Sequence, residues 1–225
     1  MKENMKRIIS ELPIVGFIIK MIYRALFKHR RFPGSEEYWI KRYDAGGDSG
    51  AGSYDELAEF KAEIVNNFVE KNHIETIIEY GCGDGNQLML SNYPSYIGFD
   101  VSPNAILRCK KLFQYDESKS FKLISEYNDE SAQLTISLDV LYHLTEDDVY
   151  HSYMDRLFSS ANSYVIIYSS NYEDSQSYHE KRRRFTDWID QNADSWKLKS
   201  CIPNKYPYIS ESKGSYSDFY IYEKS

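Results

Sequence analysis

Apolar residues recur along this chain with two alternating spacings, which predict helices and strands in turn. Helical spacing predicts helices over residues 55–71, 103–113 and 146–159. Short runs rich in β-branched and aromatic residues predict strands over residues 76–79, 96–99, 121–124, 134–138 and 164–168. Because strands alternate with helices, the pattern indicates a parallel sheet that is covered by helices on both faces.

The end of the chain follows a different pattern. Residues 196–201 and 218–222 alternate between apolar and polar positions, and no strong helical pattern lies between them. Two such consecutive strands predict an antiparallel hairpin at the edge of the sheet. The predicted fold is therefore α/β: a doubly wound, seven-stranded, mostly parallel sheet that ends in an antiparallel hairpin.

The N-terminal residues predict a basic amphipathic helix. Lys20, Arg24 and Lys28 fall four residues apart and form a cationic stripe along the apolar run 12–27. The run is too short and too charged to span a membrane, which requires about 20 apolar residues. It also leads into basic residues rather than a small-residue cleavage site, which argues against a secretory signal. Two roles remain open: contact with an anionic membrane surface, and packing against the protein's own domain or a dimer partner.

A stretch rich in glycine and serine, residues 44–53, is predicted to be a loop. It separates the N-terminal arm from the body of the protein. We therefore divide the chain into a basic arm, residues 1–35, and a folded domain, residues 36–225.

The composition is that of an ordinary globular protein, with 225 residues of which 42% are hydrophobic and 27% charged. Residues 1–31 carry eight Lys and Arg against two Glu, so the arm has a net charge of +6 and the rest of the chain −13. An acidic body argues against nucleic-acid binding. The three cysteines form neither a disulfide framework nor a zinc pair, which favours a cytoplasmic compartment. No metal site is predicted, since no His, Asp and Glu set has a recognised ligand spacing.

Three alternating glycines follow the first predicted strand. Gly81, Gly83 and Gly85 permit a tight turn and a close approach of the backbone to a ligand. Asp100 ends the next strand, 19 residues after Gly81, where a carboxylate can accept hydrogen bonds from ribose hydroxyls. Asn86 stands where the dinucleotide-binding pattern requires glycine or alanine, which disfavours a nicotinamide oxidoreductase.

Three parts of the sequence carry a family resemblance: Glu-Tyr-Gly-Cys-Gly-Asp-Gly at 79–85, Asp100, and Leu-Asp-Val-Leu-Tyr-His at 138–143. Together they resemble class I S-adenosylmethionine (SAM)-dependent methyltransferases. The resemblance extends over residues 36–225. Residues 38–53 are similar to the N-terminal part of small methyltransferases from bacterial surface-polysaccharide clusters.

The resemblance implies that SAM is the cofactor and S-adenosylhomocysteine (SAH) the product. It places Glu79 near the methionine amino group, Asp100 at the ribose, and Val101 with Ser102 at the adenosine. Glu126 and Asp129 are alternative partners for the adenine amine. The implied cofactor-binding residues are Glu79, Gly81, Cys82, Gly83, Asp84, Gly85, Asn86, Asp100, Val101, Ser102 and Asp139.

Two further groups are candidates for the chemistry. His143 follows the fourth strand and is the candidate catalytic base, with Asp139 as a catalytic group that orients substrate or cofactor. The alternative is a histidine whose hydrogen bonds are satisfied by backbone. Arg182, Arg183 and Arg184 are candidate ligands of an anionic substrate, because guanidinium groups bind oxyanions bidentately. The alternative is a solvated charged surface.

These observations predict an O-methyltransferase that acts on a sugar or phosphorylated sugar of a bacterial surface glycan. Residues 1–31 would hold it at the cytoplasmic face of the inner membrane. The alternatives are a methyltransferase of another small molecule and a non-catalytic scaffold. Neither the acceptor atom nor the oligomeric state follows from the sequence.

Overall fold

The structure, a computed structural model, describes residues 32–177, 179–210 and 213–225. One compact unit runs from Gly34 to Ser225. The amphipathic helix predicted within residues 1–31 lies outside the described residues. Among the helices that are described, none is both long enough and apolar enough to cross a bilayer.

The main sheet has seven strands in the spatial order β3-β2-β1-β4-β5-β9-β8. Strands β1 to β5 are parallel to their neighbours, β9 is antiparallel to β5, and β8 is antiparallel to β9. This confirms the predicted fold class. The strands are β1 (Thr76–Tyr80), β2 (Ser95–Asp100), β3 (Lys119–Leu123), β4 (Ala132–Leu138), β5 (Ala161–Ser169), β8 (Trp196–Ile202) and β9 (Asp218–Lys224).

Five α-helices are described, and they pack on both faces of the sheet. Adjacent residues of a strand point to opposite faces, so Ile77 belongs to a core with α2 and α3, and Ile78 to a second core with α4 and α5. These two cores bury most of the apolar positions from which the helices were predicted. The helices are α1 (Ser35–Asp44), α2 (Asp55–Lys71), α3 (Pro103–Leu112), α4 (Asp147–Ser159) and α5 (Phe185–Asn192).

Three regions differ from the sequence-based expectation, the first of which is helix α1, where no helix was predicted. A two-stranded hairpin, β6 (Asp174–Ser177) and β7 (Glu180–Arg182), precedes α5, and neither the hairpin nor α5 was predicted. The predicted loop at 44–53 contains a single 3₁₀ turn, Ala51–Ser53, and it packs on the glycine turn instead of serving as a spacer. Its side chains form hydrogen bonds that give it a fixed conformation.

Candidate active site

Two clefts meet above the carboxyl ends of the central strands, where ligands of open α/β sheets bind. The first cleft, of about 440 Å³, runs along the ends of β1, β2 and β4. The second, of about 1070 Å³, lies between α1, the β6–β7 hairpin and the segment before β9. Both clefts are lined by Trp39, Ser49, Asp139 and His143.

The glycine turn forms one wall of the first cleft. Gly81, Gly83 and Gly85 have φ values of 82°, 58° and 83°, a region that disfavours other residues. The amides of Gly81 and Cys82 donate to the Phe99 carbonyl, which ties the turn to β2. A Cβ on Gly83 would lie 2.3 Å from the Ser49 hydroxyl oxygen. The turn therefore requires glycine both for its backbone angles and for its contact with the chain above it.

Residues 35–54, here called the covering segment, lie against this turn. The Ser49 amide donates to Asp84 Oδ2 at 3.0 Å, and the Asp84 amide donates to Ser49 Oγ at 3.0 Å. The Tyr54 hydroxyl donates to the same Asp84 oxygen at 2.8 Å. Asp84 thus holds the covering segment in place.

Seven of the predicted cofactor residues lie on the wall of the first cleft, and four lie beside it. Of those four, Asp84 and Asn86 bind the covering segment, Gly85 packs near α3, and the Ser102 hydroxyl accepts from the Ala105 amide at the start of α3. The seven wall residues are Glu79, Gly81, Cys82, Gly83, Asp100, Val101 and Asp139.

Two buried carboxylates stand at the ends of β1 and β2. Asp100 accepts hydrogen bonds from the amides of Gly83 at 3.0 Å and Ser102 at 2.9 Å, and burial raises its pKa to about 6. Glu79 accepts from the Tyr96 hydroxyl at 2.5 Å, and burial raises its pKa to about 7. Both carboxyl groups therefore gain or lose a proton near neutral pH, as is common in binding sites.

The part of the first cleft beside β3 is lined by Ile124 and Ser125. Neither of the acids considered for the adenine amine lies on the wall. Glu126 turns its carboxylate back to the Leu123 amide at 2.7 Å, and Asp129 lies further along the loop with a φ of 58°. Neither acid is therefore placed to meet a ligand in the first cleft.

Asp139 lines both clefts and forms a buried ion pair with Lys61. Its Oδ2 is 2.8 Å from Lys61 Nζ, and its Oδ1 accepts from the hydroxyls of Tyr142 and Ser217, each at 3.0 Å. Lys61 is only 1% exposed. A carboxylate with three donors is fixed in position, which suits a group that orients a ligand.

Lys61 is a site residue that the sequence analysis missed. It lies on the buried face of α2, one turn after Leu57 and one turn before Val65. A lysine inside an apolar helical stripe is the signal that could have identified it, because an unpaired charge is rarely buried.

His143 lies where the clefts meet, packed against the rings of Trp39 and Tyr142 at centroid distances of 4.9 and 4.5 Å. Burial lowers its pKa to about 4, although a hydrogen bond with the backbone of His179 opposes this shift. Its Nδ1 atom is buried and has no hydrogen-bond partner within the described chain. The ring is therefore neutral at pH 7, and one of its nitrogens has no hydrogen-bond partner among the described residues.

The three arginines occupy different environments. Arg182 lines the second cleft, where it pairs with Glu180 at 3.0 Å and lies 4.7 Å from the centre of the Tyr216 ring. Arg183 donates to the carbonyls of Leu144 and Thr145 and lines neither cleft. Arg184 is exposed just before α5. Arg182 is thus the member of the run that is placed to meet a ligand.

Arg183 is expected to stabilise the fold. Besides the two carbonyls it contacts Asp147 at 2.8 Å and stacks on Tyr150. Arg183→Ala should lower the free energy of unfolding by about 1–3 kcal/mol, because two part-buried carbonyls lose their donor. Arg184→Ala is the matched control and should change it by less than about 0.5 kcal/mol. Urea denaturation measures both, and equal effects would contradict the assignment.

Comparison with known proteins gives matches at the level of three-dimensional structure. No family model matches the chain, and neither does any curated protein. The N-methyltransferase NodS from Bradyrhizobium japonicum WM9, in complex with SAH, has 14% identity and a TM-score of 0.67, over 85% of this chain and 99% of that one.

Two further solved structures agree with this match. Magnesium protoporphyrin IX methyltransferase (ChlM) from Synechocystis PCC 6803, with bound SAH, has 15% identity and a TM-score of 0.59, over 92% of this chain and 100% of that one. The methyltransferase domain of bacterial CtHen1-C has 17% identity and a TM-score of 0.59, over 74% and 98%. The chain therefore has a methyltransferase fold, with a Rossmann-like sheet.

Proposed function

We propose that this protein is a SAM-dependent methyltransferase. The observation that carries the proposal is the first cleft, whose wall joins the tight glycine turn to the buried Asp100 carboxylate within a methyltransferase fold. The solved structures of NodS and ChlM contain SAH, and their likeness in fold supports the same cofactor for this chain.

The residues of the first cleft fit the parts of SAM. Each Asp100 oxygen accepts one backbone hydrogen bond and has a further lone pair for a ribose hydroxyl. Gly81 and Gly83 line the cleft, where their backbone would contact the methionine moiety. Glu79 would face its amino group. Val101, Ile124 and Ser125 would surround the adenine.

The acceptor would lie in the second cleft, because His143 and Asp139 line both. When bound, SAM would supply an electrophilic methyl group, with its sulfur as the leaving group. The role of the residues that line both clefts would be to orient the acceptor in line with the bond between that methyl group and sulfur. An acceptor hydroxyl must also lose its proton, and the neutral ring of His143 is proposed to receive it.

For the acceptor we propose a sugar or an anionic sugar, as in surface-polysaccharide synthesis. Tyr38, Tyr208 and Tyr216 line the second cleft, and Arg182 adds a cation. ChlM is named for magnesium protoporphyrin IX and HEN1 for small RNA, so this choice depends on the aromatic and basic lining of the second cleft. The basic residues 1–31 support contact with an anionic membrane surface as part of the same proposal.

Calorimetric titration with SAH tests the cofactor assignment. At pH 8, where Asp100 is ionised, the wild type should bind SAH and should not bind NAD. Asp100→Asn should weaken SAH binding about 100-fold, because a hydrogen bond to a charged group contributes about 1.5–3 kcal/mol. Glu126→Gln is the matched control off the cleft and should bind like the wild type. Absence of SAH binding by a folded wild type would refute the proposal.

A further inference from the structure

Three potential metal ligands converge where the two clefts meet. His143, His179 and Glu180 each present one ligand atom, and these atoms all lie within 4.8 Å of one another. All three line the second cleft, and His143 also lines the first. The sequence separates His143 from His179 by 36 residues, so no ligand spacing indicates the group.

A second observation points to a ligand at this place. Nδ1 of His143 is buried without a hydrogen-bond partner in the part of the chain that the structure describes. Buried polar atoms without a partner are uncommon in proteins, and each requires an explanation. A bound metal ion would satisfy this nitrogen, since a neutral imidazole coordinates through its lone pair.

The surroundings are compatible with a cation. Glu180 shares its carboxylate between two partners: its Oε2 pairs with Arg182, and its Oε1 lies 3.7 Å from His179 Nε2, so Oε1 is the oxygen offered to an ion. The two nearby arginines are both paired with acids, Arg182 with Glu180 and Asp174, and Arg42 with Asp48. The rings of His143 and His179 are nearly parallel, with an interplanar angle of 13° and centroids 6.0 Å apart. Coordination at about 2.0–2.1 Å requires side-chain rotations that bring the three ligand atoms closer together.

We propose that His143, His179 and Glu180 form a binding site for one divalent transition-metal ion of the zinc class. Two imidazoles and one carboxylate are ligands typical of zinc, cobalt, manganese or iron, whereas magnesium and calcium prefer oxygen ligands alone. The three residues leave the side facing the second cleft open.

In the proposed methyltransferase, the metal site would bind the acceptor and activate its hydroxyl. This part of the inference rests on the proposed function. A metal ion at this place can bind the acceptor oxygen and lower the pKa of its hydroxyl, so that the proton leaves to solvent or to a nearby base. His143 then acts as a ligand of the ion and no longer as the base. The acceptor class that follows is one with a hydroxyl beside a second oxygen that can chelate, as in a sugar diol.

Cobalt binding tests the site directly. The full chain, freed of metal by dialysis against a chelator, is titrated with Co²⁺ alone, and visible absorption reports coordination by protein ligands. The wild type should bind one ion. His143→Gln and His179→Gln should each weaken the affinity for Co²⁺ by at least about 100-fold. Even residues that only hydrogen-bond to metal ligands change metal affinity by about 10–100-fold. His73→Gln is the matched control, since His73 is exposed near the start of β1.

The outcomes separate this inference from the proposed function. No cobalt binding by the wild type, or equal binding by the His143 and His179 variants, overturns the metal site. SAH titration of the metal-free protein then decides the cofactor separately, because the Asp100 end of the first cleft contains none of the three ligands. Cobalt binding without SAH binding would support the metal site and refute the proposed methyltransferase activity.

Discussion

Replacing Lys61 by methionine is expected to lower the free energy of unfolding by about 3 kcal/mol. The substitution keeps a long apolar stem in the core but leaves the Asp139 carboxylate without its cation. Removing one partner of a buried pair typically costs about 3–5 kcal/mol. The lower value applies here because Tyr142 and Ser217 still donate hydrogen bonds to the carboxylate. Urea denaturation followed by circular dichroism measures the loss.

A second variant and a surface control make this prediction specific. Lys61→Met combined with Asp139→Asn should recover part of the loss, because no unpaired charge then remains buried. Lys41→Met removes a lysine that pairs with Glu37 on the exposed side of α1, and should cost less than about 1 kcal/mol. If the Lys61→Met and Lys41→Met variants are equally stable, the ion pair between Lys61 and Asp139 does not stabilise the fold as predicted.

Gly83→Ala is expected to weaken SAH binding by at least 100-fold. The new Cβ would lie 2.3 Å from Ser49 Oγ and 3.0 Å from the Tyr43 hydroxyl, so the covering segment must move away from the glycine turn. The movement breaks both hydrogen bonds between Ser49 and Asp84, each contributing about 1 kcal/mol. Alanine at a φ of 58° adds about 1–2 kcal/mol of backbone strain. Calorimetric titration measures the affinity.

Gly46→Ala is the control that separates the effect of backbone strain from the effect of a steric clash. Gly46 has a φ of 83°, but a Cβ there would have no atom within 4 Å. This variant should retain nearly all of its SAH affinity. Adding Ser49→Gly to Gly83→Ala removes the atom that collides and should restore part of the binding. A Gly83→Ala protein that binds SAH like the wild type would show that the turn tolerates a side chain.

The parts of the fold that the sequence predicted are those set by local patterns. Strands β1 and β4 are buried runs with clear boundaries, and the glycine turn and Asp100 follow directly from the ends of β1 and β2. Helix α5 was missed although Phe185, Trp188 and Ile189 have helical spacing and are buried. This helix has only eight residues and follows a run of charged side chains, so its apolar pattern is too short to be distinctive.

The parts that escaped prediction depend on contacts between distant residues. The fixed conformation of the loop at 44–53 comes from Asp84, 35 residues away from Ser49. Lys61 and Asp139 are 78 residues apart, and only the packing of α2 on the sheet brings them together. Within the arginine run, Arg182 and Arg183 differ in role because one side chain reaches the second cleft and the other reaches Leu144.

The covering segment determines where this protein can be shortened. A fragment that starts at Asp55, after the glycine-rich stretch, would lose the amide and hydroxyl that bind Asp84. It would also leave Arg108 without the carbonyls of Gly47 and Tyr43, which its guanidinium contacts at 2.6 and 3.1 Å. A trimmed protein intended for crystallisation or ligand screening should therefore retain every residue from Gly34 onward.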